Sequence, residues 1–271
     1  MNLGLAGRRA AVAAGTAGLG YACAAALAAE GARVAICGRD PARVEAAVTL
    51  LDDAPGGAGG FGGVGGVEGA GGVGAGGAVG IVADLTSPDE CERFVTEAYE
   101  ALDGLDILVV NGPGPRPGTF AGVTPADYQR ALEINLLSVM RMCYAAVPGM
   151  RAQGWGRVVA ITSISVRQPI PNLILSTTAR AGATGFLKTL AREVAADGVT
   201  VNSVQPGLHE TQRVKDVYGD TLADEVNTIP ARALGQPADF GAVVTFLCSE
   251  QARYITGAAI PVDGGQYQAL L

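Results

Sequence analysis

The chain has 271 residues, 49% of them apolar and 17% charged, and a formal net charge of -7. This length and apolar content suit one large α/β core, while the acidic balance argues against holding nucleic acid by its phosphates. Residues 1–9 lack a charged start leading into a long apolar run, and the five scattered cysteines have neither metal nor redox spacing, so a soluble cytoplasmic protein with no membrane partner is expected.

Short apolar runs then alternate with helical stretches. Residues 9–14 read as a strand, 19–29 as a helix, 33–37 as a strand and 41 to about 51 as a helix. A Gly-, Ala- and Val-rich stretch at about 55–80 reads as a flexible surface insertion, with a functional lid as the alternative. Strands follow at 79–83, 105–110, 157–162, 200–204 and 258–262, and helices at 88–102, 125–153, 176–196 and 237–249. Ser87-Pro88 and Thr124-Pro125 each set a capping side chain before a proline at the first helical position. Apolar strands separated by helices predict a single-domain, doubly wound parallel sheet of about seven strands with helices on both faces.

The first strand runs into Ala13-Ala14-Gly15-Thr16-Ala17-Gly18-Leu19-Gly20, and a helix begins directly. A glycine-rich strand-to-helix turn of this kind brings a pyrophosphate onto backbone N–H groups at the helix start, as in Rossmann-type domains. A merely tight turn is the alternative. The second strand ends Gly38-Arg39, where NAD sites carry an acid for the ribose hydroxyls. Arg39 can instead pair with a 2′-phosphate, so NADP(H) is the expected cofactor.

These features resemble the short-chain dehydrogenase/reductase family, whose glycine motif is Thr-Gly-x-x-x-Gly-x-Gly. Gly18 and Gly20 keep its last two glycines; Ala13-Ala14 replaces its Thr-Gly pair, and the Ala14 methyl implies weakened or shifted cofactor binding. The resemblance further implies that Gly15, Thr16, Gly18, Leu19 and Gly20 line the cofactor and that Asp84 meets the adenine. Asn111 and Gly112 stand in the family's Asn-Asn-Ala-Gly turn, with Val110 in place of the first Asn. Pro206, Gly207 and Thr211 stand in its Pro-Gly-x-x-x-Thr loop beside the nicotinamide. Tyr254-Ile255-Thr256-Gly257 and Pro261 to Gly265 match its closing strand and turn.

The family works with Asn, Ser, Tyr and Lys. Asn135 and Ser163 match the first two. The Tyr-x-x-x-Lys motif falls on Ser176-Thr177-Thr178-Ala179-Arg180, so Ser176 stands for the tyrosine and Arg180 for the lysine. Lys188, eight residues on, points elsewhere on its helix. Serine is a far weaker acid than a phenol, and arginine keeps its proton, although it can hold ribose hydroxyls as a fixed donor. His209, the only histidine, and Tyr218 are the candidate replacement proton donors, a surface histidine being the bland reading of the former.

The expectation is an atypical NADPH-dependent reductase of a carbonyl substrate, a 3-oxoacyl compound or related ketone, small or carrier-bound. It resembles the divergent β-ketoacyl carrier-protein reductase-like group. The alternatives are a non-redox dehydratase, isomerase or cyclase on the same scaffold, and a catalytically silent partner subunit. The resemblance also implies a homotetramer or homodimer. No metal site is expected.

Overall fold

The computed structural model describes residues 2–53 and 77–270. Residues 54–76, most of the expected Gly-rich insertion, lie outside the described residues.

The described residues form one seven-stranded parallel sheet in the order β3-β2-β1-β4-β5-β6-β7. The strands are β1 (Arg9–Val12), β2 (Arg33–Gly38), β3 (Val79–Val82), β4 (Ile107–Val110), β5 (Gly156–Ile161), β6 (Val199–Pro206) and β7 (Ala259–Val262). The expected doubly wound architecture is therefore present. Successive strand residues point to opposite faces. In β1, Ala10 and Val12 join a core with α1 (Gly18–Ala29), α2 (Pro41–Asp52) and α9 (Pro237–Leu247), whereas Ala11 faces the other core. That second core is filled by α3 (Pro88–Leu102), α5 (Ser138–Ala152) and α6 (Ile174–Val194). Among the described residues no helix is long and apolar enough to cross a membrane. All five cysteines are buried, and burial pushes their thiols up, that of Cys91 to about 11.

The helical stretch expected at 125–153 is not uniform. It runs as α4 (Pro125–Leu132), a π-turn (Glu133–Leu137) and α5. The π-turn carries Asn135, and such widened turns are frequent at functional sites. The capping expectations fare differently. Ser87 makes no side-chain cap bond, and α3 instead carries Asp89 and Glu90 in its first turn, where their charges complement the helix dipole. At α4 the Asp127 carboxylate accepts from both the N–H and the hydroxyl of Thr124, at 2.8 Å each. Two short helices that periodicity did not reveal, α7 (Gln212–Tyr218) and α8 (Leu222–Thr228), follow β6.

The sheet order reverses between β1 and β4, so the loops after these strands open a crevice at the carboxyl edge. The turn after β1 is held by backbone. Gly15 N–H donates to Cys37 O at 3.0 Å. A Cβ on Gly15 would lie 2.8 Å from Ile36, and one on Gly20 would press into Ala14 O and lie 2.7 Å from the Asn111 amide. These two glycines make room for protein rather than for a ligand. Ala14, where the resembling motif has glycine, has φ +48°. A left-handed alanine costs roughly 1–2 kcal/mol because its Cβ crowds the following carbonyl.

At the opposite edge, Asp106 is buried beside Arg9. Its carboxylate accepts from Arg9 Nε at 2.8 Å, Arg9 Nη2 at 2.9 Å and the Arg9 N–H at 2.9 Å. Burial alone would raise the Asp106 pKa; the Arg9 bonds outweigh it and hold the carboxyl below its ordinary value.

Two predictions follow from these contacts. Asp106→Asn should cost roughly 2–4 kcal/mol at pH 7, because it leaves a half-buried guanidinium without its anion. A depressed folded pKa contributes stability above the ordinary carboxylate range, and that stability is lost as pH falls below about 4. Denaturant unfolding from pH 3 to 7 should therefore show wild type losing its advantage over Asp106→Asn at the acid end; a constant gap would refute the linkage. Ala14→Gly should raise stability by roughly 0.5–1 kcal/mol by relieving the left-handed alanine. A thermal melt in which Ala14→Gly gains nothing would mean that the methyl makes a compensating contact.

Candidate active site

The crevice at the switch point is a cleft of about 550 Å³. Its walls bring together Gly18, Leu19, Arg39, Asn111, Gly112, Ser163, Ser176, Arg180, Pro206, Gly207, His209 and Thr211 from the expected set. Gly18 and Thr211, 193 residues apart in sequence, meet there because β1, β4, β5 and β6 all end at this edge.

The floor is the start of α1. Ala17 offers no side-chain cap, and the first turn has no acid. The first N–H groups of a helix have no intrahelical partners, so this end suits a negatively charged group. Gly18, at φ +55°, lines the cleft here, and its missing Cβ leaves it facing Thr211, whose Cγ2 would lie 3.6 Å away. Arg39 stands at one end of the cleft, exposed. Asn111 lines the cleft and ties the two switch-point loops by donating from Nδ2 to Ala14 O at 3.3 Å.

Five other expected residues stand behind the walls. Thr16 packs where a Cβ on Gly38 would fall, so it wedges the first turn against β2. Asp84 accepts from Thr86 N–H at 3.0 Å, and this bond first, with Arg39 among the lesser causes, lowers its carboxyl pKa. Gly15 and Gly20 are the packing glycines described above. Asn135 is buried in the π-turn and donates to Pro113 O at 3.1 Å, while its Oδ1 has no partner.

The reactive end lies between β5 and α6. Ser163 accepts from Ser165 N–H at 3.1 Å, which orients its hydroxyl and leaves the O–H to donate. Ser176 lies in the first turn of α6, and Arg180 one turn later. Arg180 Nη1 donates to Ile161 O at 2.7 Å, fixing the guanidinium at the end of β5. Burial first, then the neighbouring Arg213, pulls its pKa down to about 10, so it remains charged at neutral pH. Lys188 is turned away, as expected, and donates to Gly257 O at 2.8 Å.

His209 corrects the bland reading: it is 2% exposed, not a surface residue. Its ring meets Phe240 edge-on with centroids 5.1 Å apart, and its Nδ1 lies 3.2 Å from Gly207 O. A Cβ on Gly235 would strike the ring. Burial lowers its pKa, so the ring is neutral at pH 7 and works as a wedge holding the loop after β6. Tyr218 also contributes to the cleft wall; burial, then Glu225, raises its pKa, so the phenol keeps its proton.

Sequence reasoning missed Arg213. It lies on α7, lines the cleft and donates to Pro115 O at 2.8 Å, closing α7 over the loop after β4. The signal available was a basic residue two positions past Thr211. Ile170, Leu173, Val214 and Val217 add an apolar wall.

A family model described as enoyl-(acyl carrier protein) reductase matches residues 69–266. Human dehydrogenase/reductase SDR family member 4 is 34% identical over 264 residues, covering 96% of this chain and 88% of its own. The 3-oxoacyl-[acyl-carrier-protein] reductase FabG of Vibrio cholerae is 33% identical over 184 residues, covering 68% of this chain and 75% of its own. Among solved structures, the L-sorbose reductase of Gluconobacter frateurii, complexed with NADPH and L-sorbose, superposes with a TM-score of 0.85 at 27% identity and covers 100% of both chains. With the doubly wound sheet and the cleft at its switch point, these matches make the chain an oxidoreductase-type member of the short-chain dehydrogenase/reductase family, of the 3-oxoacyl-reductase-like kind.

Proposed function

We propose that this protein reduces a carbonyl compound, a 3-oxoacyl substrate or related ketone, with NADPH. The observation that carries the reading is one continuous cleft joining the uncapped start of α1 and Arg39 to Ser163, Ser176 and Tyr218. The residues fit a phosphorylated dinucleotide. The α1 amides beside Gly18 and Leu19 suit a pyrophosphate, and Arg39 suits a 2′-phosphate. The NADPH bound by the sorbose reductase supports the same class of cofactor.

When bound, the nicotinamide supplies a hydride for the carbonyl carbon. Ser163 donates a hydrogen bond to the carbonyl oxygen, and Ser176 stands on the same side of the cleft. The oxygen then needs a proton to become a hydroxyl. His209 also touches the cleft but is buried, neutral and wedged against Phe240, whereas Tyr218 is a phenol of the cleft wall with its proton in place. Tyr218 is therefore the proton donor in this reading.

A second reading, a non-redox dehydratase, isomerase or cyclase, is favoured by the Ser176 and Arg180 pair, standing where the family resemblance calls for Tyr and Lys. Stoichiometric consumption of NADPH separates the two.

Calorimetric titration should give NADPH binding about 10–100-fold tighter than NADH, the scale of one charge-assisted contact. Arg39→Ala should erase that preference. Binding of neither cofactor would sink the reductase reading. Tyr218→Phe should lower kcat by roughly 10²-fold or more while leaving NADPH affinity in place, because the ring stays and only its hydroxyl is removed. Unchanged turnover would return the proton donor to Ser176 or a bound water.

A further inference from the structure

The protein carries 26 acidic residues against 19 Lys and Arg, yet none of the described residues lining the cleft is an Asp or Glu. Three arginines line it instead. Arg39 lies toward the first turn, where the proposed cofactor's 2′-phosphate accounts for it. Arg180 and Arg213 stand at the reactive end, beyond that account.

Neither forms an ion pair among the described residues. Each spends one donor on a backbone carbonyl, Arg180 on Ile161 O and Arg213 on Pro115 O. A guanidinium has five N–H donors, so most of each fork remains unspent. The two carbonyl bonds also fix the forks in place, Arg180 from the α6 side and Arg213 from α7. The two cations are close enough that Arg213 contributes to lowering the pKa of Arg180. Like charges at this separation repel unless an anion lies between them, and planar forks match carboxylate and phosphate oxygens. The nearby walls, Ile170, Leu173, Val214 and Val217, are apolar and offer a neutral polar substrate little else.

Resting on the carbonyl-reductase reading, we infer that the substrate carries its own anionic group, a carboxylate or phosphate close to the carbonyl, and that Arg180 and Arg213 hold it. Arg180 then acts as an anion ligand for the substrate. The carbonyl is presented to Ser163 while the two forks hold the neighbouring acid group.

The test compares three probes by calorimetry: acetoacetate, its neutral methyl ester, and dihydroxyacetone phosphate. Each is titrated into the protein alone and into the protein saturated with NADP⁺. At least one of the two anions should bind at least about tenfold tighter than the ester, the scale of one charge-assisted contact. Which anion wins distinguishes a carboxylate site from a phosphate site. Arg213→Gln, at an exposed position that should not disturb folding, should bring the acid-to-ester ratio close to one, as should Arg180→Gln. Equal binding of acid and ester, no anion binding to either form, or a ratio that survives both substitutions would overturn the inference. So would Arg180→Gln weakening NADP⁺ while leaving the ratio intact, since Arg180 would then serve the cofactor. The titrations without NADP⁺ keep the two proposals apart: failure of the cofactor to bind would end the reductase reading, yet anion capture by the arginine pair would still be read.

Discussion

The position of α1 governs the site, and absent side chains set that position. A Cβ on Gly20 would run into Ala14 O, and one on Gly241 would run into Ala22 O. Without them, α1 settles against the first turn on one side and α9 on the other. Its uncapped start is thereby held over the carboxyl edge of the sheet, with Asn111 bonded to Ala14 O as the tie to β4. Moving α1 outward by the width of a methyl group would open this contact and shift the amides that floor the cleft. Small residues act here through backbone proximity, where a mismatch cannot be absorbed by a rotamer change.

Charge is divided between the two ends of the sheet. At the amino edge it is matched: Arg9 clasps Asp106, and Trp155 receives the guanidinium carbons of Arg8 and Arg157 at 3.7 and 4.2 Å from its ring centroid while bonding Glu250. At the carboxyl edge, cations line a cleft without acids. Matched charges at the first edge contribute stability. Unmatched ones at the second lower it, and strain of this kind at a cleft is a mark of function.

Much of this was legible in the sequence. The strands are runs of apolar residues, and the motifs and the resemblance together picked out twelve residues that the fold brings to one cleft. What was not legible depends on tertiary context. No local signal shows that Ala14 sits at positive φ, since alanine itself argues against it. The π-turn at Asn135 lies within an unbroken helical pattern. His209 reads as polar, but Phe240 and Gly235, far along the chain, make the pocket that buries it. Helix α7 is too short for a periodic signal, so Arg213 and Tyr218 appeared as loop residues.

That short helix also bears on how the chemistry would be organised. Arg213 and Tyr218 are five residues apart on α7, and Arg213 fastens α7 to the loop after β4 through Pro115. The carbonyl contact, Ser163, comes instead from the end of β5, and Arg180 is fixed there through Ile161. On the proposed reading the two halves have separate supports, and an anionic substrate bridging Arg180 to Arg213 is what draws them together. Binding energy from the acid group would then set the distance between Tyr218 and the carbonyl oxygen, and so act on the rate of proton transfer as well as on affinity. A tyrosine on the rigid sheet edge needs no such help. A tyrosine on α7 does, which gives the arginine pair a reason to face the substrate.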